Sequence, residues 1–158
     1  MLLVEIFNTK KTENNFVPTY KHDRCTISFE VEGTPYRFSA ISYKSTEGTW
    51  VVNFHVDVRR YEQLKNVKIA SSDKHDFAIK RNNLGNAVKV FLAVEECFDM
   101  FLQHYGAQVQ HVEFSADANE QSRIKLYNKF IPLIQNKGFK FLGSDEFLGD
   151  IHYSFSRS

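Results

Sequence analysis

From Cys25 onward, apolar and polar residues alternate without a break. Cys25, Ile27, Phe29 and Val31 are separated by Thr26, Ser28 and Glu30, and a period of two places one set of side chains on one face of a strand. Glu32-Gly33-Thr34 supplies a tight turn, after which Tyr36, Phe38 and Ala40 share a face within Pro35–Tyr43. Ser45-Thr46-Glu47-Gly48 is a second turn. Beyond it Trp50, Val52, Phe54, Val56 and Val58 alternate with Thr49, Val51, Asn53, His55 and Asp57. The pattern predicts a three-stranded antiparallel meander. The polar segment 59–72 shows no decided period, and His75–Lys80 reads as one more short strand. Ahead of the meander, Met1–Phe7 fits either a strand or a helical turn and is followed by the polar run Lys10–Asn15.

The period then lengthens. Between Gly85 and Tyr105 the residues Ala87, Phe91, Val94, Phe98, Phe101 and Tyr105 recur every three to four positions, with Val90, Cys97 and Leu102 widening the stripe. This predicts a long helix laid on the sheet, with Gly106 as its stop. Val109–Ser115 reads as a strand, and Asp117 or Asn119 can cap a second helix running to about Asn136 with Ile124, Tyr127, Phe130, Ile131 and Ile134 inward. Pro132 lies inside that helix and is expected to kink or interrupt it. Phe139–Leu142 and Ile151–Phe155 form a terminal antiparallel pair. The predicted class is α+β, with a mixed, mainly antiparallel sheet and two long helices in the order β-β-β-(β)-α-β-α-β-β. With 158 residues and no repeat, low-complexity tract or linker, residues 1–158 read as one domain.

Composition narrows the classes. Hydrophobic residues make up 42% and Pro and Gly together number only 10 (3 and 7), which is the make-up of a packed core rather than of a disordered chain. Net charge is +1 from 20 basic and 19 acidic residues, well mixed; the basic excess that phosphate neutralisation demands is missing, so nucleic acid is not an expected partner. Cys25 and Cys97 do not form a CxxC pair, and His22 with Cys25 lacks a second pair to complete a tetrahedral set, so both are read as buried free thiols and no metal is expected. The apolar stretch at the start of MLLVEIFNTKK is too short for a signal peptide or a membrane span, which predicts a cytoplasmic protein with no membrane partner.

One segment carries candidate chemistry. Arg81-Asn82-Asn83-Leu84-Gly85-Asn86-Ala87 is a glycine-containing turn opening the first long helix. Unpaired backbone N–H groups and the positive end of the helix dipole make such a turn able to hold a phosphate or pyrophosphate; it also fits an ordinary capped loop. For acid–base work, His55 and Asp57 share one strand face, as do His111 and Glu113. Polar side chains in a strand between two packed helices either find partners or face a solvated side. Arg123, Lys125 and Lys129 read as a solvated helix face. No Ser-His-Asp signature, P-loop or Rossmann fingerprint is present.

The order of elements resembles the GNAT acetyltransferase superfamily. That family's pyrophosphate loop runs Gln or Arg, two residues, Gly, one residue, Gly or Ala; Asn82, Gly85 and Ala87 match its last two positions and replace the first. Its Asn-led helix with a Leu-Tyr pair and a following Gly-Phe is matched by Asn119, Leu126-Tyr127 and Gly138-Phe139, with a longer stretch between Tyr127 and Gly138. The resemblance implies acetyl-CoA as the cofactor, held through Asn82, Leu84, Gly85, Asn86 and Ala87. It also implies Tyr127 as the acid that protonates the departing thiolate, with Glu113 or His55 handling the amine proton. A second resemblance is to small proteins of tailed bacteriophages, carried by Gly85-Asn86-Ala87, Phe114-Ser115-Ala116 and Ser122-Arg123 with Leu126-Tyr127. It implies a GNAT-like protein without catalysis, acting as a virion component or as a binder of a host or phage protein. The single glycine of the loop and the short region before the meander favour the non-catalytic expectation; the Asn119, Leu126-Tyr127, Gly138-Phe139 order favours an N-acyltransferase acting on an amine.

Overall fold

The alternation from Cys25 becomes three strands, and a fourth joins them. In the computed structural model, which describes residues 15–82 and 87–158, β1 (Val17–Tyr20), β2 (Arg24–Val31), β3 (Thr34–Ser42) and β4 (Thr49–Val56) pair antiparallel in sequence order. The β2–β3 connection is two residues, Glu32 and Gly33, both at positive φ (52° and 76°). A turn with two left-handed central residues matches the twist of the strands it joins, and Gly33 takes such a φ at no steric cost.

After β4 the structure departs from the sequence reading. Residues 75–80 are not a strand: they belong to helix α2 (Lys74–Asn82), preceded by α1 (Val58–Lys65) and a 3-10 turn at Ser71–Asp73. Asp57 caps α1, its Oδ1 accepting from the Arg60 N–H at 3.1 Å. Phe77 of α2 packs on Tyr61 of α1 with ring centroids 4.8 Å apart, and the Arg81 guanidinium lies over both rings and bonds the Tyr61 hydroxyl. That aromatic–cation cluster holds a segment whose own sequence is too polar to show a period.

Helix α3 (Ala87–Tyr105), strand β5 (His111–Asp117), helix α4 (Gln121–Asn136) and the hairpin β6 (Phe139–Phe147) and β7 (Asp150–Arg157) complete the chain. The sheet order is β1-β2-β3-β4-β5-β7-β6, with β4–β5 the parallel pair and every other neighbour antiparallel. The protein is thus α+β with a mixed, mainly antiparallel sheet, in the strand and long-helix order expected. Two local expectations change. Neither Asp117 nor Asn119 caps α4: its N-cap is Glu120, which makes no side-chain cap bond, while Asp117 accepts from the Asn119 N–H at 2.8 Å. Pro132 sits inside an unbroken α4, at the cost of one helical N–H donor.

Helices α3 and α4 pack on one side of the sheet. Ile27, Phe29, Phe38, Trp50, Val52, Phe54, Phe114, Tyr153 and Phe155 meet Val94, Cys97, Phe98 and Phe101 of α3 and Tyr127, Phe130 and Ile134 of α4 in one core. Cys25 and Cys97 are buried free thiols within it. At the far end of α3 the Tyr105 hydroxyl lies 2.7 Å from the carbonyls of both Lys21 and Arg24, fastening that helix to the β1–β2 turn. The opposite face carries Ser28, Arg37, Asn53, His55, Glu113, Ser115 and His152, which are half-buried or exposed. Among the described residues no helix is long and apolar enough to cross a membrane.

Phe101 is the hub of this packing, with centroids 5.2 Å from Trp50, 5.6 Å from Tyr105 and 5.8 Å from Phe98. Phe101→Ala is expected to cost about 3–5 kcal/mol by urea unfolding, the range for a fully buried aromatic. A loss below about 1 kcal/mol would mean that the helix layer is not packed as described.

Candidate functional site

Strands β4 and β5 run side by side for only four residues. Thr49, Trp50, Val51 and Val52 pair with His111, Val112, Glu113 and Phe114, and there the pairing stops. Asn53–Val56 continue paired to β3 alone, and Ser115–Asp117 to β7 alone. The sheet therefore splits at its C-terminal strand ends. Beyond Val52, no strand among the described residues takes the side of β4 that faced β5. Backbone N–H and C=O groups on such a side need partners, and an extended chain bearing amides can supply them as an added strand would.

Helix α4 sends two side chains over this opening. The Tyr127 ring contacts both lips: it lies 5.7 Å from Phe54 on β4, 5.2 Å from Phe114 on β5 and 5.7 Å from Tyr153 on β7. Arg123, one turn earlier, places its guanidinium 5.1 Å from the Phe54 ring centroid and pairs with Glu120 at 3.4 Å. The sequence reading set Arg123 on a solvated face with Lys125 and Lys129. Those lysines are exposed, but the Arg123 side chain is 10% exposed and its Glu120 partner 8%. The i, i+3 spacing of Glu120 and Arg123 was the available signal; Asn53 offered none.

Polar atoms here are left wanting. Asn53 Oδ1, Arg123 Nε and Tyr127 Oη are buried without a hydrogen-bond partner. Arg123 and Tyr127 lie against Phe54 on the helix-packed face, and Asn53, next to Phe54 in sequence, is on the opposite face. A buried polar atom without a partner costs about 1–3 kcal/mol, so Arg123 Nε and Tyr127 Oη on the helix-packed face mark a place where a bound group would complete the hydrogen bonding.

The two candidate proton-transfer groups lie on opposite sides of the opening. Tyr127 is on the helix-packed face, where burial, opposed by Arg123 and reinforced by Glu120 and Tyr153, raises its hydroxyl well above the ordinary phenol value. It keeps its proton at neutral pH. His55 is on the other face, next to Arg37 in the β3 register. Burial, then Arg123 and Arg37, lower its pKa from 6.5, with Asp57 opposing. It is held neutral and able to accept a proton. Glu113 shares the His55 face but pairs with Val51, in the unsplit part of the sheet. At about 3.3 Å per residue, the four positions from Val51 to His55 separate the two by about 13 Å, so they do not serve the same proton. His111 is exposed at the start of β5.

Of the expected phosphate-binding residues, Asn82 ends α2 and Ala87 opens α3 as an exposed residue, whereas Leu84, Gly85 and Asn86 lie outside the described residues. Two short helices thus separate the end of β4 from the start of α3, where the sequence reading had one short strand. Among the described residues no three His, Cys, Asp or Glu side chains come together as a metal site.

No protein-family model matches the chain, and no curated protein matches it in sequence. Solved structures similar to it include AAC(6')-Ib in complex with ribostamycin and coenzyme A, at TM-score 0.47 and 12% identity over 85% of this chain; the chain spans 64% of that protein's length. A second is a GNAT-family acetyltransferase from Streptococcus pneumoniae, at TM-score 0.44 and 15% identity over 97% of this chain and 73% of the other. A third is the aminoglycoside acetyltransferase AAC(6')-Ib in complex with coenzyme A and kanamycin, at TM-score 0.43 and 13% identity over 85% of this chain and 67% of the other.

Two outcomes follow from these environments. Because the Tyr127 hydroxyl has no partner, Tyr127→Phe is expected to leave the ligand-free melting temperature unchanged or higher; a loss of more than about 1 kcal/mol would mean the hydroxyl is bonded after all. His55 has a folded pKa below its unfolded one, so the unfolded chain binds the extra proton and stability falls as pH drops below 6.5. His55→Gln should flatten that decline in urea titrations taken from pH 7 downward, and an unchanged slope would remove His55 as its source.

Proposed function

We propose that the chain is an acyl-CoA-dependent N-acyltransferase of GNAT-like architecture, acting at the opening between β4 and β5. One observation carries the reading: β4 loses its β5 partner after Val52, and Arg123 Nε and Tyr127 Oη, two unpartnered buried polar atoms, lie on residues packed against Phe54 just beyond that point. The unpaired side of β4 and these polar atoms suit an extended arm with amide groups.

An acyl-CoA supplies an acyl group activated as a thioester. On this reading the chain's own residues do the rest. The pyrophosphate would be held at the start of α3, by the segment that the sequence resemblance assigns to it, Asn82 to Ala87. The β4 side aligns the arm so that the acyl carbon lies in the opening. The amine nitrogen forms a bond to that carbon as the carbon–sulfur bond breaks. His55, neutral at physiological pH, takes the proton lost from nitrogen, and Tyr127, still protonated, gives its proton to the departing sulfur. Acid and base stand on opposite faces of the sheet, so neither quenches the other.

A second reading has one observation in its favour. Tyr127 is only 2% exposed, with Arg123 and Glu120 buried beside it, a closed arrangement that suits a GNAT-like binder without catalysis, phage-encoded as the second resemblance implies.

Melting with acetyl-CoA separates them. At ten times its Kd, a ligand that binds only the folded state adds about 1.4 kcal/mol, a rise of about 3–5 °C for a chain of this size. Tyr127→Phe should keep that rise while lowering turnover about a hundredfold, as loss of a general acid does. No rise with millimolar acetyl-CoA or CoA would remove the acyltransferase reading and leave the binder.

A further inference from the structure

On the open face of the sheet, across β1, β2 and β3 where α1 begins, is a cavity of about 570 Å³. Its walls come from two places. Ser28 and Glu30 of β2 and Arg37 of β3 line it from the sheet, and Asp57, Arg59 and Arg60 line it from the start of α1. The β2, β3 and β4 registers put Ser28, Arg37 and His55 in one row across the strands. His55 is thus one strand spacing, about 4.8 Å of backbone separation, beyond a residue of the cavity wall.

Its charges are unequal in their commitments. Asp57 is spent: one carboxylate oxygen pairs with Arg37 at 3.1 Å and the other accepts the Arg60 N–H. Among the described residues Arg59 and Arg60 are exposed and have no carboxylate partner, while Glu30 is the one uncommitted acid of the lining. Arg37, 45% exposed, keeps donors free beyond its bond to Asp57. Guanidinium groups in this number match the planar, multidentate acceptors of a carboxylate or a phosphate.

We infer that this cavity binds the acyl acceptor, and that the acceptor is a small amine carrying a carboxylate or phosphate, its anionic end on Arg59, Arg60 and Arg37 and its amine directed to His55. The amine half rests on the acyltransferase reading; the anion half stands on the cavity alone. Arg59 and Arg60 are positioned by the α1 start that Asp57 caps, so the capping bond also sets the recognition site.

The test uses the full chain, labelled with nitrogen-15 and titrated at low salt with two matched pairs of probes: phosphoethanolamine against ethanolamine, and γ-aminobutyrate against butylamine. The anionic member of at least one pair is expected to shift the backbone signals of Arg37, His55, Arg59 and Arg60 and to bind about tenfold or more tightly than its neutral mate. Which pair responds tells phosphate from carboxylate. The double variant R59Q/R60Q, altered at two exposed side chains, should abolish that preference and leave the melting rise with acetyl-CoA unchanged. Equal binding by both members of each pair, no shift from any probe, or a preference that survives R59Q/R60Q overturns the inference. If anions bind while acetyl-CoA gives no rise, the acyltransferase reading fails and the cavity stands as an anion site. If acetyl-CoA gives its rise and no anion binds, only the cavity inference falls.

Discussion

The contact that organises this molecule is the Tyr127 ring laid across a split sheet. Parallel pairing of β4 and β5 ends at Val52 and Phe114, and from there the two halves of the sheet diverge. Tyr127 touches Phe54 on one half and Phe114 and Tyr153 on the other, so a helix side chain ties the halves where backbone hydrogen bonding does not. The aromatic packing holds the lips at a fixed separation, since interdigitated rings have one close-packed arrangement.

The arrangement costs stability at its centre. Arg123 and Glu120 are both withdrawn from water, and a buried ion pair recovers its desolvation penalty only with good geometry and further hydrogen bonds. At 3.4 Å, with Arg123 Nε unbonded, this one has neither in full. Arg123 does act on both neighbouring groups: it depresses His55 and moderates the rise at Tyr127. One guanidinium therefore lowers the pKa of a group on each face, favouring neutral His55 and opposing the upward push of burial on Tyr127.

Because α3 and α4 pack on one face of the sheet, polar side chains occupy the other. With α3 and α4 filling one face, the open face of β2, β3 and β4 is left to Ser28, Arg37, Asn53 and His55. The short helix α1, capped by Asp57, bends the chain back from the end of β4 and brings Arg59 and Arg60 to the same end.

The amino-acid sequence by itself determined the strands β2, β3 and β4, the two long helices and the inward side of each. These follow from periods of two and of three to four, which depend only on neighbours along the chain. It also put Tyr127 on the inward stripe and His55 on the outward one. Where a segment lacks a period, local reading failed. β1 is a four-residue edge strand with a proline and no buried residue, and α2 owes its helix to Tyr61 and Arg81 rather than to its own pattern. Arg123 looked solvated because its neighbours Lys125 and Lys129 are, and only the approach of Phe54 buries it. The split itself had no sequence signature. It arises from how many residues β4 and β5 share, strands separated by more than fifty positions, and pairing at that distance is a property of the assembled sheet.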